Sequence, residues 1–180
     1  MQWLAYSTQN CSIQRTLDVI GEKWTILVLR EAFNGVRRFD QIRDHVGMSD
    51  PVLADRLRKL VRAGVLEVSP YREPGRRTRQ EYRLTKKGLE LYPVMIALLR
   101  WGDRYCADPA GPSVLVTHRG CDEPVETVVE CAAGHRLNSP GAGRAIPGPG
   151  AQPAGAHPAG RGRHSSPPDG PLPSRRRRQM

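Results

Sequence analysis

Two histidines and two cysteines lie close together in the C-terminal half of the chain, with types and spacing that suit a metal ion. Two residues separate His118 from Cys121, three separate Cys131 from His135, and nine lie between the pairs. Tetrahedral zinc takes sulfur and imidazole ligands, and the stretch 125–130, "VETVVE", predicts a strand between the pairs. Because the spacing matches no standard finger or ribbon, the alternative is a small β-hairpin without metal. A structural zinc is therefore one interpretation, and no cofactor is required.

Arginines cluster in a second short stretch, residues 71–88, around a Pro-Gly turn. Like charges so close together repel one another, and a polyanion such as nucleic acid would relieve that repulsion. The whole chain indicates the same partner, with a formal charge of +10 and a pI near 10.1. The charge is focused, because residues 56–88 hold 11 basic and 3 acidic side chains. The arginines around the turn are Arg72, Arg76, Arg77 and Arg79.

No pattern in the sequence indicates an enzyme, a membrane protein or a secreted protein. No Ser/His/Asp set, paired carboxylate motif or phosphate-binding glycine loop occurs. No run approaches the roughly 18 apolar residues of a membrane span, and residues 1–10 lack the order of a secretion signal. We therefore expect a cytoplasmic protein without catalytic activity. Its four cysteines should be thiols or metal ligands rather than disulfides.

The composition of the chain changes at Ser139. From there to the end, Gly and Pro make up 17 of 42 residues, and four consecutive arginines lie at 175–178. Such a segment cannot bury enough apolar surface to offset its ordering entropy, so we expect residues 139–180 to be disordered. A solvated tail and a non-specific anchor to nucleic acid are the two interpretations. The other expected units are an N-terminal extension at 1–10, a folded domain at 11–108 and a hairpin appendage at 109–138.

Apolar spacing predicts four helices in the first half of the folded domain. Gly21 divides the first two, and the second runs over about 22–33. Gly47 ends the third helix, and Ser49 or Asp50 begins the fourth. The apolar residues that define these helices are Leu17, Ile20, Trp24, Leu27, Phe39, Ile42, Val46, Leu53, Leu57 and Leu60.

After the fourth helix the pattern changes to that of strands. Residues 65–71 and 80–85 predict a β-hairpin joined by the arginine-bearing turn. Thr85 is a good N-cap for a last helix, which Pro93 would kink or restart. That helix carries Leu89, Tyr92, Ile96 and Leu99. This order predicts a mainly α winged helix-turn-helix with the hairpin as its wing, although a plain solvated hairpin is the alternative for so polar a stretch.

Several segments in the region from Cys11 to Asp108 carry a family resemblance. They are Cys11 itself, "IGEKWTILVL" (20–29), "RRFDQI" (37–42), "LADRLRKLVRAGVL" (53–66), "YRLTKKG" (82–88) and "LRWGDRY" (99–105). In this order they resemble the HxlR-type winged-helix transcriptional regulators, relatives of the MarR group. The family often has Pro where Ser12 stands and a second Gly where Glu22 stands. We expect neither departure to touch the DNA-reading part.

The resemblance implies a homodimer that binds operator DNA near promoters, usually as a repressor and sometimes as an activator, with dimer contacts from the first and last helices. Apolar residues in surplus on the last helix suit that role: Leu91, Met95, Leu98 and Trp101. A twofold dimer would place two recognition helices roughly 34–36 Å apart on a pseudo-palindrome. The alternative function is a winged helix that serves as a protein-interaction or non-specific nucleic-acid scaffold.

The expected contacts with double-stranded DNA come from three places. On the fourth helix, the side opposite the leucines should approach base edges, with Arg58 on phosphate. Basic residues ahead of the third helix should hold the backbone, and the wing should meet phosphates or a minor groove. The residues are Arg37, Arg38, Val52, Asp55, Arg56, Arg58, Lys59, Arg72, Arg76, Arg77 and Arg79. For any single one of them, a solvated charge is the alternative.

Cys11 lies at the start of the first predicted helix. Unpaired backbone N–H groups and the positive end of the helix dipole can lower the pKa of a thiol there. The resemblance implies a sensing role, because some members of the family use a cysteine at this place to detect oxidants or electrophiles. The alternative is a small, partly buried thiol. An oxidant or another small molecule is therefore one expected effector. The regulator itself is expected to be associated with the nucleoid.

Overall fold

The helices and strands follow one another in the predicted winged helix-turn-helix order. The structure, a computed structural model, describes residues 2–72, 75 and 77–155. Its elements are α1 (Ser12–Ile20), α2 (Lys23–Phe33), α3 (Phe39–Val46), α4 (Asp50–Arg62), β1 (Leu66–Tyr71), β2 (Arg79–Leu84), α5 (Lys86–Leu89) and α6 (Tyr92–Tyr105). Short 3-10 turns lie at Trp3–Ala5 and Pro140–Ala142. The predicted fold class is confirmed.

The hydrophobic core lies between α2, α3, α4 and the base of the hairpin. Its buried residues are Ile20, Val28, Leu29, Ile42, Met48, Leu53, Leu57, Leu60, Val65 and Leu66. The predicted core positions of α3 and α4 are thus confirmed, with Phe39, Val46 and Trp24 half-buried against this cluster. Leu17 differs from the prediction, because α1 buries only Ile20 and leaves Leu17 56% exposed.

Two capping residues set the helix boundaries near the DNA-reading part. Gly47 ends α3 with φ of 72°, a left-handed conformation that glycine adopts without strain. The Thr85 hydroxyl accepts a hydrogen bond from the Gly88 amide at 3.1 Å and donates one to the Gly64 carbonyl at 2.7 Å. The predicted cap is confirmed, and it joins the start of α5 to the end of α4 and so fixes the base of the wing.

The last helix is divided in two, as one of the two alternatives for Pro93 predicted. The first piece, α5, has four residues, and α6 begins at Tyr92 with Pro93 in its first turn. Leu89, which the sequence places on this helix, is exposed. Ile96 is the buried residue of α6, so the outer side of this long helix is left for other contacts.

The wing is a two-stranded antiparallel sheet, in register from Leu66 opposite Leu84 to Tyr71 opposite Arg79. The segment that precedes α3 pairs with β2, because the Arg37 carbonyl accepts a hydrogen bond from the Tyr82 amide at 2.8 Å. This pairing places two regions of predicted DNA contacts, the residues ahead of α3 and the wing, side by side.

The C-terminal part differs from the predicted hairpin and tail. Residues 125–130 form no regular strand; instead, isolated bridges close two separate tight turns, 117–124 and 130–136. Residues 139–155 have a defined course that returns to the N-terminal segment, where the Ser7 amide donates to the Gln152 carbonyl at 2.8 Å. The remainder of the predicted tail lies outside the described residues. No helix in the described part is long and apolar enough to span a membrane.

Candidate nucleic-acid interface

The helix α4, for which the sequence predicts the contacts with base edges, buries one side and exposes the other. Its buried side consists of Leu53, Leu57 and Leu60. On the other side, Arg62 is exposed and the Arg58 side chain is 61% exposed, while Val52 and Asp55 are half-buried between the two sides. The exposed side is therefore cationic, and its length of 13 residues is enough to lie along a major groove.

Glu22 holds two further cations of this helix. It is the N-cap residue of α2, and its carboxylate contacts the Arg56 guanidinium and accepts a hydrogen bond from Lys59 Nζ at 2.9 Å. Asp55 completes the cluster, with a carboxylate oxygen 3.3 Å from Arg56 and 3.4 Å from Lys59. The Arg56 side chain is only 15% exposed. Both cations are therefore engaged by carboxylates of the chain itself.

This cluster shows contacts that the sequence does not reveal. Arg56 and Lys59, both predicted near base edges, contact the Glu22 carboxylate in the structure, and their DNA contacts stay predictions. Glu22 was expected to lie apart from the DNA-reading part, and it contacts that part directly. The physical reason is the approach of the first turn of α2 to the middle of α4, which brings opposite charges within hydrogen-bonding distance.

Replacing Glu22 by Gln is expected to tighten DNA binding several-fold and to steepen its salt dependence. The change keeps the shape of the side chain but removes a negative charge that competes with phosphates for Lys59. Fluorescence anisotropy with a labelled duplex at several salt concentrations would measure both effects. Glu90→Gln, the same charge change at an exposed residue between α5 and α6, is the matched control. Equal effects of the two variants would show that only net charge matters.

An ion-pair network ties the end of α3 to the start of α4. Arg43 Nε donates to Asp44 Oδ1 at 2.7 Å, and Arg43 Nη1 donates to Asp50 Oδ1 at 3.3 Å. The hydrogen bond from Arg43 lowers the pKa of Asp44, and the two carboxylates raise the pKa of the Arg43 guanidinium. Arg43 and Asp44 therefore stay charged near neutral pH, and the contact of Arg43 with Asp50 joins the two helices of the helix-turn-helix across their turn.

The wing exposes several of the predicted arginines. Arg72 and Arg77 are exposed at the end of the hairpin, and Arg79 is exposed on β2 with Nη1 3.8 Å from an Asp40 carboxylate oxygen at the start of α3. Arg38 packs its guanidinium 4.5 Å from the centre of the Tyr71 ring, and Arg76 lies outside the described residues. Arg37, ahead of α3, is exposed next to β2. The wing and this segment thus form one cationic edge.

The two histidines and two cysteines of the predicted zinc site lie in two separate pairs. His118 Nδ1 is 3.3 Å from Cys121 Sγ, and Cys131 Sγ is 3.5 Å from His135 Nδ1. In the described part of the chain, no group of three or more His, Cys, Asp or Glu side chains could hold a metal ion. The four predicted ligands therefore lie in two pairs rather than in one group, and a structural zinc stays a prediction. The reason is local, since each pair is held in its own tight turn and no strand joins them.

The turn at Cys131 affects the chemistry of its thiol. Backbone N–H groups, with that of His135 contributing most, donate to the sulfur and lower the pKa of Cys131. Backbone donors in a turn stabilise a thiolate because they point at a developing negative charge. The lowered pKa raises the thiolate fraction of this exposed thiol at neutral pH.

Cys11 lies where the sequence predicted, immediately before α1. It is the N-cap residue, half-buried, and its amide donates to the Thr8 carbonyl at 3.0 Å. It lines a cavity of about 480 Å³ together with Trp3 and residues of the stretch 146–151. The returning C-terminal segment therefore covers the approach to this thiol. A sensing role for Cys11 stays a prediction.

Four exposed apolar side chains lie along α6, and we call them the α6 stripe: Val94, Leu98, Trp101 and Tyr105. Leu98 is 49% and Trp101 61% exposed, and the rings of Trp101 and Tyr105 lie 5.3 Å apart. The other two predicted interface residues, Leu91 and Met95, are half-buried against the core. Sequence reasoning missed Val94 and Tyr105, although their spacing of four from Leu98 and Trp101 is a helical signal.

The first helix adds a second exposed apolar surface. Ile13 and Leu17, one turn apart on α1, are exposed, as are Trp3 and Leu4 of the preceding 3-10 turn. Exposed large apolar groups that line up on two helices are unusual for a chain that works alone, because they gain little from contact with water. The structure therefore exposes apolar side chains on α1 and on α6, and cations on α4 and the wing.

The chain is similar to known transcriptional regulators. The model of the HxlR-like helix-turn-helix family matches residues 19–109. The HTH-type transcriptional regulator Rv3095 of Mycobacterium tuberculosis is 40% identical over 128 residues, which cover 71% of this chain and 80% of that protein.

Two solved structures are similar over more of the chain than the family model matches. PA1607, described as a candidate transcription factor, superimposes with a TM-score of 0.69 at 35% identity, covering 77% of this chain and 96% of that one. PA1374 of Pseudomonas aeruginosa, similarly described, gives a TM-score of 0.54 at 34% identity, covering 79% of this chain and 95% of that one. With its α3–α4 helix-turn-helix and its β1–β2 wing, this chain belongs to the HxlR-like helix-turn-helix family of DNA-binding transcriptional regulators.

Proposed function

We propose that this protein is a homodimeric, sequence-specific repressor that binds a pseudo-palindromic operator. The observation that carries the proposal is the exposed α6 stripe, which lies on a different element from the exposed cations of α4 and the wing. Association through α6, with α1 beside it, would leave both recognition helices free. A twofold arrangement would then present them to successive major grooves, roughly 34–36 Å apart.

In each half-site, α4 enters the major groove from its exposed side. Val52 and Asp55 lie nearest the base edges, and Arg58 binds a phosphate. Lys59 reaches the DNA only when it leaves Glu22, so its contribution depends on exchanging that carboxylate for a phosphate. Arg56 supports α4 through Glu22 and Asp55 rather than by reading bases.

The wing holds the DNA backbone beside the recognition helix. Arg72, Arg77 and Arg79 lie on one edge with Arg37, which suits contacts to phosphates or insertion into an adjacent minor groove. Such contacts position the protein and carry most of the salt dependence, whereas α4 carries the sequence preference. A dimer bound in this way over a promoter would block access of the transcription machinery. We therefore propose repression, in the cytoplasm and on the nucleoid.

Selection of DNA from a random library tests operator recognition. We expect the purified protein to enrich a pseudo-palindrome and to bind it at least about 1,000-fold more tightly than random DNA at physiological salt. Equal affinities for selected and random DNA would favour the alternative, a winged helix that serves as a non-specific scaffold.

The same duplexes test the wing. Arg77→Ala with Arg79→Ala should weaken binding to both DNAs by similar factors and reduce the salt slope by about two, because each arginine no longer neutralises a phosphate. Arg119→Ala with Arg144→Ala, two exposed arginines of the C-terminal segment, removes the same charge elsewhere and is the control. If the two double variants bind alike, the wing makes no particular contact.

A further inference from the structure

A cavity of about 340 Å³ lies between α2, α6 and the segment 114–116, apart from the DNA-reading part. Its walls are mostly apolar and include Ile26, Phe33, Ile96, Leu99 and Val114. Its volume falls at the small end of the range of about 300–1,000 Å³ that is usual for small-molecule sites. An apolar cavity of this size suits a ligand with one ring or a short chain.

One cation lines this cavity. Arg30 of α2 forms part of the wall, and its side chain is 47% exposed. The Nε and Nη2 atoms of its guanidinium lie 2.8 Å and 2.6 Å from the same Glu31 oxygen, Oε1. The third nitrogen, Nη1, bonds to none of the described residues. An anionic group at the mouth of the cavity could therefore take the free edge of the guanidinium. A neutral ligand could accept only an ordinary hydrogen bond from Arg30, and a cationic ligand would be repelled by it.

The partner of Arg30 connects the cavity to the helix-turn-helix. The Glu31 side chain is 2% exposed, and its other oxygen, Oε2, lies 2.7 Å from His45 Nδ1 at the end of α3. Glu31 thus links the cavity wall on α2 to the helix that precedes the recognition helix. A buried carboxylate is sensitive to the loss of a partner, because its remaining contacts must then compensate its charge.

We propose that this cavity binds a small organic carboxylate with an apolar body, and that the bound anion regulates DNA binding through Arg30, Glu31 and His45. The carboxylate draws the Arg30 guanidinium away from Glu31, which changes the hold of Glu31 on α3 and weakens DNA binding. The regulatory step rests on the proposed function, whereas ligand binding does not. A second copy of the chain would instead seat on the α6 stripe, which shares Leu98 with the cavity wall and has Val94, Trp101 and Tyr105 outside it.

Calorimetry on the full chain without DNA tests the binding step, with 3-phenylpropionate and the neutral 3-phenylpropanol as probes. We expect saturable binding of one acid per chain at millimolar concentration or below, and at least about tenfold weaker binding of the alcohol, since a hydrogen-bonded charge is lost. Arg30→Gln should abolish the preference for the acid. Val114→Phe, which fills the cavity from an exposed position, should abolish binding of both probes.

Several outcomes would overturn the proposal. They are no binding of either probe, equal binding of acid and alcohol, and binding that survives Val114→Phe. Light scattering adds one more outcome: if Val114→Phe abolishes an observed dimer together with ligand binding, the cavity belongs to the contact between two copies.

The regulatory step has its own readout. The acid, and not the alcohol, should lower DNA affinity several-fold, and His45→Ala should bind the acid as the parent does while its DNA affinity no longer responds to it. An equal response of His45→Ala and the parent would exclude the route through Glu31. Failure of the proposed function would show differently, as poor DNA binding in the absence of any acid.

Discussion

Replacing Leu98 and Trp101 together by Asp should convert the protein to a monomer and weaken its binding to a full operator by at least about a hundredfold. A twofold interface would have to bury four carboxylates, and desolvation of unpaired charge costs far more than the contact could return. Each monomer would then read one half-site without the gain in affinity that comes from linking two binding modules. Light scattering and anisotropy on full and half operators would measure the two effects.

The folded monomer should tolerate these changes. Leu98 and Trp101 are about half exposed or more, and neither belongs to the buried core. Leu115→Asp with Val129→Asp places the same charges on exposed apolar residues of the C-terminal segment, and is the matched control. If the α6 variant still scatters as a dimer, the α6 stripe is not the interface. If it is monomeric yet binds the full operator as tightly as the parent, dimerisation is not needed for DNA recognition.

Local signals explain why the helices and the wing could be predicted from sequence. Gly47 ends α3 because a left-handed residue is needed there, and Thr85 begins α5 because its hydroxyl can bond the Gly88 amide. Both effects act over a few residues. Leu17 shows the limit of such signals, because helical spacing identifies an apolar side without showing what covers it. The structure leaves that side of α1 exposed.

The DNA-reading surface was less predictable, because its charges are arranged by tertiary contacts. Glu22 and Lys59 are 37 residues apart in sequence, and their hydrogen bond depends on how α2 approaches α4. Helical spacing could place Arg56 at the flank of α4 but could not show that a carboxylate would take it. The predicted zinc ligands show the same limit, since ligand types and spacing do not reveal whether two turns face each other.

Replacing Gly88 by Ala should destabilise the fold by about 3 kcal/mol and lower its Tm on the order of 10 °C. A Cβ at this position would lie 2.2 Å from the Val65 carbonyl oxygen and 3.0 Å from Leu84 Cδ2. The first of these atoms belongs to the backbone at the base of the wing, which cannot move away as a flexible side chain can. Thermal and urea unfolding of the variant would measure the destabilisation.

The clash matters because of what meets at Gly88. The Thr85 amide donates to the same Val65 carbonyl at 3.1 Å, and the Thr85 hydroxyl accepts from the Gly88 amide. These two hydrogen bonds hold α5 against the start of the hairpin. Relief of the overlap must lengthen one of these bonds or shift α5, and with it the start of α6. Gly148→Ala is the control, because a Cβ there meets nothing within 4 Å, and we expect a change within about 0.5 kcal/mol. Equal stability of the two variants would mean that α5 does not approach the wing this closely.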